Sequence, residues 1–217
     1  MGTFNLEKGG RFNLSKEQPG LTKLRLGLSW DPNRSDTGAK WDLDVSVFAC
    51  ANNAAGEPKI IADEYFLFYN SNTRTQDNKT TFQDTGSAPK KGHPATPCLG
   101  MIHLGDNQDG GAEGPDETVL VDLAKLDPRI TEISFVVTIH DAGPRKQNFG
   151  QVKNSEIALY NDATGELVSK YALEDDFSRE TAVQFGSLYK KDGSWLFKAI
   201  GQGYNAGLQD FINTYCD

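Results

Sequence analysis

Strict alternation of apolar and polar residues constrains this chain more than any other feature. In residues 23 to 30, Leu24, Leu26, Leu28 and Trp30 share one parity, while Lys23, Arg25 and Ser29 fall on the other. A period of two gathers the large apolar groups on one face of an extended strand, whereas a helix would scatter them. The pattern recurs. "LDVSVFA" sets Leu43, Val45 and Val47 on one face, and "VLVDL" at 119–123 and "ISFVVTI" at 133–139 read as further strands, the second rich in β-branched residues. "YFLFYN", residues 65–70, reads as another. Two hairpins are legible later: "IALY" and "LVSKYAL" flank a Gly-containing loop, and "AVQFGSLYK" and "SWLFKAI" flank Asp192-Gly193, a pair suited to positive φ.

Near the end the period changes. Tyr204, Leu208, Phe211, Ile212 and Tyr215 recur at helical spacing, which predicts an amphipathic C-terminal helix docked on a sheet. Many strands with one clear helix predict an all-β fold, a two-sheet β-sandwich with a few short helices. The 217 residues suit one large β domain, 1–217, in which the polar stretch 71–97 reads as a long surface loop or insertion.

The segment "GDNQDGGAEGPDET", residues 105–118, holds five carboxylates, four glycines and no basic residue. Like charges about 4 Å apart repel by roughly 4 kcal/mol at an effective dielectric near 20. Either the loop is splayed in water or a cation holds it together. On the EF-hand template starting at Asp106, Gly111 and Glu117 fit, but Gln108 and Gly110 stand where Asp or Asn belongs, and the flanks read as strand. A calcium loop between strands remains open, because calcium takes six to eight hard oxygens and needs no flanking helices.

Oxygen donors also mark other strand ends. Asp42 and Asp44, two apart in "WDLD", point to one side of a strand, and Asp31, Asn70 and Asp141 each follow an apolar run. At one end of a sandwich these could share a site with Asp106, Asp116 and Glu117. Taken alone, Asp31 and Asn70 are better read as turn formers whose side chains cap backbone amides.

The net charge of −8, with no dense Lys/Arg stripe, argues against nucleic acid as partner and favours cations or basic protein surfaces. His93, His103 and His140 make no zinc spacing with each other or with cysteine, and no nucleophile elbow, phosphate loop or dinucleotide fingerprint is present. Cys50, Cys98 and Cys216 are too scattered for a disulfide framework or a redox pair. No apolar run spans a bilayer, and the amino-terminal residues lack a secretory pattern, so the expected compartment is the cytoplasm.

With these segments in view, the chain resembles the TerD family of tellurium-resistance and stress proteins. The likeness runs through "LEKGGRFNLSKEQPGL", "GLSWD", "WDLDVSVF", the 105–117 loop, "VVTIHDA", "RKQNFGQVKNSEIALYN" and "ETAVQFGSLYKKDGSWLFKAIGQGY". It implies a non-catalytic bacterial stress protein of β-sandwich fold that binds two calcium ions. Its ligands would come from Asp31, Asp42, Asp44, Asn70, Asp106, Asn107, Asp116, Glu117 and Asp141. The family loop ends in a double Asp before Glu; here Pro115 precedes Asp116, and Glu113 is the candidate replacement. Partners would be other proteins of a stress-response complex, including a membrane-bound component. The alternative from another class is a C2-like or lectin-like module, in which calcium bridges to lipid or sugar.

Overall fold

The computed structural model describes residues 8–33, 38–77, 79–86 and 88–216. In chain order the strands are β1 (Arg11–Asn13), β2 (Lys23–Ser29), β3 (Leu43–Asn52), β4 (Pro58–Ile60), β5 (Phe66–Leu67), β6 (Thr73–Gln76) and β7 (Thr80–Gln83). They continue as β8 (Met101–His103), β9 (Glu117–Asp122), β10 (Glu132–Ile139), β11 (Glu156–Asn161), β12 (Leu167–Ala172), β13 (Ala182–Lys191) and β14 (Ser194–Tyr204). Helices α1 (Leu14–Glu17), α2 (Ala142–Arg145) and α3 (Leu173–Asp176) are single turns, and α4 (Leu208–Cys216) closes the chain. Among the described residues no helix is long and apolar enough to cross a membrane.

Two sheets carry the fold. One runs β1-β14-β13-β10-β3-β4, with β5 also on β3; the other runs β12-β11-β2-β9-β8. Their inner faces meet in one continuous core, where Leu24, Leu26 and Leu28 of β2 join Val45 and Val47 of β3, Phe135 and Val137 of β10, and Val119 and Val121 of β9. This is the expected β-sandwich, and the alternation is its cause.

The central strands β3 and β10 are buried on both faces, so their sequences read as nearly continuous apolar runs. Phe48, Cys50 and Val136, on the outer face, are covered by Phe211 and Tyr215 of α4. The Phe48 and Tyr215 rings stack at 4.7 Å, and the Tyr215 hydroxyl accepts from Gln184 Nε2 at 2.7 Å. The docked C-terminal helix therefore stands, although Tyr204 ends β14 rather than joining it.

Local chemistry accounts for the turns. Asp192 and Gly193 adopt φ 50° and 76°, joining Lys191 to Ser194 in the tight hairpin their identities predict. Two expectations need correction. Of "YFLFYN" only Phe66–Leu67 is strand, because Ser71 Oγ accepts the Phe68 N–H (3.1 Å) and donates to the Phe66 carbonyl (3.2 Å), curling the chain off the sheet. The stretch 71–97 is not a bare loop: β6 and β7 pair in it around buried Arg74. That guanidinium donates to the carbonyls of Lys91 (2.8 Å), Gly92 (2.9 Å), Ser71 (3.1 Å) and Tyr69 (3.3 Å). A polar sequence is ordered here by one internal cation rather than by an apolar face, which is why hydropathy does not reveal it.

Candidate metal centre

The start of β3, the β8–β9 loop and the end of β10 reach the same end of the sandwich. β3 lies antiparallel to β10 with Asp44 opposite Thr138, and the His140 N–H returns to the Asp42 carbonyl at 2.8 Å. Asp42 and Asp44 keep one parity, so both carboxylates lie on one side. Asp106 comes from the other sheet's loop. Carboxylate oxygens of Asp42, Asp44 and Asp106 all lie within 4.8 Å of one another.

Behind them sits Glu117, whose side chain is fully buried. Its Oε2 accepts the Val45 N–H at 2.8 Å and faces His103 Nε2 at 3.5 Å, while its Oε1 has no hydrogen-bond partner among the described residues. The Gly105 N–H donates to His103 Nδ1 (3.3 Å), which leaves the ring proton on Nε2, toward Glu117. Burial pushes His103 down to about 4, so the imidazole stays neutral and brings no positive charge to the acids.

The acids destabilise one another's ionised forms. Burial, then the charges of Glu117, Asp42 and Asp106, push Asp44 up to about 9. Burial lifts Glu117 well above the ordinary range, with Asp106 and Asp42 adding to it. Burial also raises Asp42, opposed by His140 and Arg145. Among the described residues, the basic side chains beside these acids are Arg145, whose Nη1 stands 3.6 Å from Asp42, and His140, whose Nδ1 stands 3.8 Å from Asp44. Tyr69 also faces the acids. Burial and the charges of Asp44, Asp106 and Asp42 raise its phenol, and its place in an apolar run gave no hint that it faces the acids.

The other candidates have different surroundings. Asp116 Oδ2 accepts the Trp30 N–H (2.8 Å), and its Oδ1 accepts from Asn107 Nδ2 (2.9 Å) and the Ala112 N–H (2.8 Å). Asn107 Oδ1 takes the N–H groups of Asp109 (3.0 Å) and Gly110 (3.2 Å). These two residues shape the loop that carries Asp106. Gly110 adopts φ 72° where a Cβ would lie 2.5 Å from the Trp30 ring, so the loop seats directly on that indole. Asp31 accepts from Asn154 Nδ2 at 2.7 Å, and Glu113 is exposed on the loop. Asn70 is exposed beside Lys90, which donates to its carbonyl at 2.6 Å. Asp141 takes a left-handed φ of 52° and turns toward His140 Nε2, 3.5 Å away. Asp42, Asp44 and Asp106 are thus brought together beside Glu117, and Asp31, Glu113, Asp116 and Asp141 are not part of that three-carboxylate group.

An all-oxygen set with several anionic donors suits a hard divalent cation rather than zinc. Against known proteins, the TerD domain matches residues 1–215. The chain belongs to the TerD family. This TerD domain is 41% identical over 213 residues to general stress protein 16U of Bacillus subtilis (strain 168), covering 98% of this chain and 97% of that protein. It is 38% identical to the tellurium resistance protein TerD of Serratia marcescens, covering 97% and 96%. In fold, it matches the crystal structure of a TerD homologue from Streptomyces coelicolor A3(2) with a TM-score of 0.63 at 18% identity, over 88% of this chain and 95% of that one. The family is thus one of tellurium-resistance and stress-response proteins.

Proposed function

We propose that this TerD-family protein binds calcium through Asp42, Asp44, Asp106 and Glu117 and serves a stress response without catalysing a reaction. The observation that carries the reading is three converging carboxylates beside a buried glutamate whose Oε1 has no hydrogen-bond donor among the described residues. A buried, unpartnered acceptor costs about 1–3 kcal/mol, more if charged, and a hard cation removes that penalty. The residues fit such an ion in donor type and in charge, since among the described residues Arg145 is the one permanent cation paired with the four acids. Bound calcium would cancel the repulsion between β3 and the 105–116 loop and order the loop against Trp30. The ordered end of the sandwich would then present a surface to other proteins of a stress-response complex, a membrane-bound component among them.

Calorimetric titration of metal-stripped protein tests this. A saturable calcium heat that Asp44→Asn abolishes is expected. Titrations that stay flat up to millimolar calcium would end the proposal.

A further inference from the structure

Asp44 belongs to two features at once. It is a member of the acid group, and it lines a cleft of about 630 Å³ between the turn after β10 and the first turn of α4. That volume falls in the range of small-molecule sites, about 300–1,000 Å³. Resting on the calcium reading, we propose that this cleft takes a neutral polyhydroxylated molecule, such as a saccharide or cyclitol, whose hydroxyls would reach calcium through the side of the site that Asp44 forms.

The lining chemistry selects the class. Among the described residues no Lys or Arg lines the cleft and His140 is its one basic side chain, whereas Asp44, Asp141 and Asp210 all line it. An anionic ligand would meet one cation and two further carboxylates. At the start of α4, Asp210 Oδ2 already accepts the Gly207 N–H at 2.8 Å, and its carboxylate opposes an anion there. A hydroxyl differs from an anion in that it gives lone pairs to calcium and its proton to a neighbouring carboxylate at the same time. Vicinal hydroxyls would therefore bridge the ion and the acids that hold it. Thr138, opposite Asp44 on β10, and Asn205 add neutral polar groups along the wall. Ile139, Pro144 and Leu208 add apolar surface suited to the C–H face of a ring.

Two titrations decide it. Calcium alone is followed by calorimetry, and mannose, galactose, myo-inositol and inorganic phosphate are then titrated into calcium-saturated, 15N-labelled protein. The expected result is amide shifts at Asn205 and Gly207 with at least one polyol, lost when EDTA removes calcium. Gln209→Trp, an exposed position on the cleft wall, should abolish the polyol shifts while leaving the calcium heat unchanged. Calcium binding with no polyol response, or with a response to phosphate alone, overturns the inference and leaves the calcium reading standing. Absence of calcium binding overturns both.

Discussion

The Glu117 carboxylate accepts the Val45 amide hydrogen at 2.8 Å, joining the first residue of β9 in one sheet to β3 in the other. The bond uses one oxygen and leaves the second with no donor among the described residues, beside Asp42, Asp44 and Asp106. A strut between the sheets thus doubles as the floor of an acidic site, and stability there depends on the site's charge.

Metal-free protein should lose stability as pH rises. Asp44 moves from 3.8 to about 9 on folding, and Asp42 and Glu117 move in the same direction. The folded state therefore holds protons that the unfolded state releases. Their contribution is complete below 3.8 and is lost as pH climbs through about 9. In EDTA the melting temperature should fall between about pH 6 and about pH 8, and calcium should flatten that slope. A flat EDTA profile would show that the protein's own charges already neutralise the cluster.

Calcium should raise the melting temperature. At about 100 times its dissociation constant a ligand adds about 2.7 kcal/mol. For a chain of this size that is a shift of roughly 5–11 °C. Asp44→Asn should remove the calcium response and leave the metal-free melting point equal to or above wild type, since it deletes a repelling charge while keeping the shape. Differential scanning fluorimetry in EDTA and in calcium separates these outcomes; an equal loss in both would mark Asp44 as a folding residue only.

Arg145→Met should tighten calcium binding about two- to fivefold, because it withdraws a competing cation worth roughly 0.5–1 kcal/mol beside Asp42. Calorimetry reads the change. Weaker binding would mean that Arg145 positions Asp42 rather than merely balancing it.

Asp116→Ala should loosen the loop that delivers Asp106. It removes the acceptor of three hydrogen bonds, from Trp30, Asn107 and Ala112. A cost of about 1–3 kcal/mol is expected, with weaker calcium binding and a red-shifted Trp30 emission. Gly110→Ala should do the same through the clash with Trp30. Wild-type calcium affinity in both variants would detach the loop's order from the metal site.

Arg74→Met should destabilise residues 71–97 selectively. Four carbonyls lose a charged donor, at about 2–4 kcal/mol, and Lys in its place cannot restore the planar fork. Faster hydrogen exchange in β6 and β7 with β2 and β10 unaffected is the expected pattern; uniform exchange would make Arg74 part of the global core.

The sandwich was legible because a strand's facing depends only on its own parity. Leu24, Leu26 and Leu28 had to share a face whatever lay opposite, and Asp192-Gly193 carried its turn within two residues. Arg74 was illegible for the converse reason. One buried cation replaced the apolar stripe that marks ordered structure, so its segment read as solvent-exposed.

The acidic centre divides along the same line. Local sequence put Asp42 and Asp44 on one side of β3 and made the 105–118 loop a concentration of charge, since both follow from spacing along one segment. Sequence could not distinguish Asp106, which faces those two, from Asp116, which turns back to the amides of Trp30 and Ala112. Nor could it show that Tyr69 or the cleft beneath α4 adjoins them. Those assignments depend on how two sheets overlie and how a loop folds on an indole, and hydrogen bonds and packing between distant segments settle them only once the chain is closed.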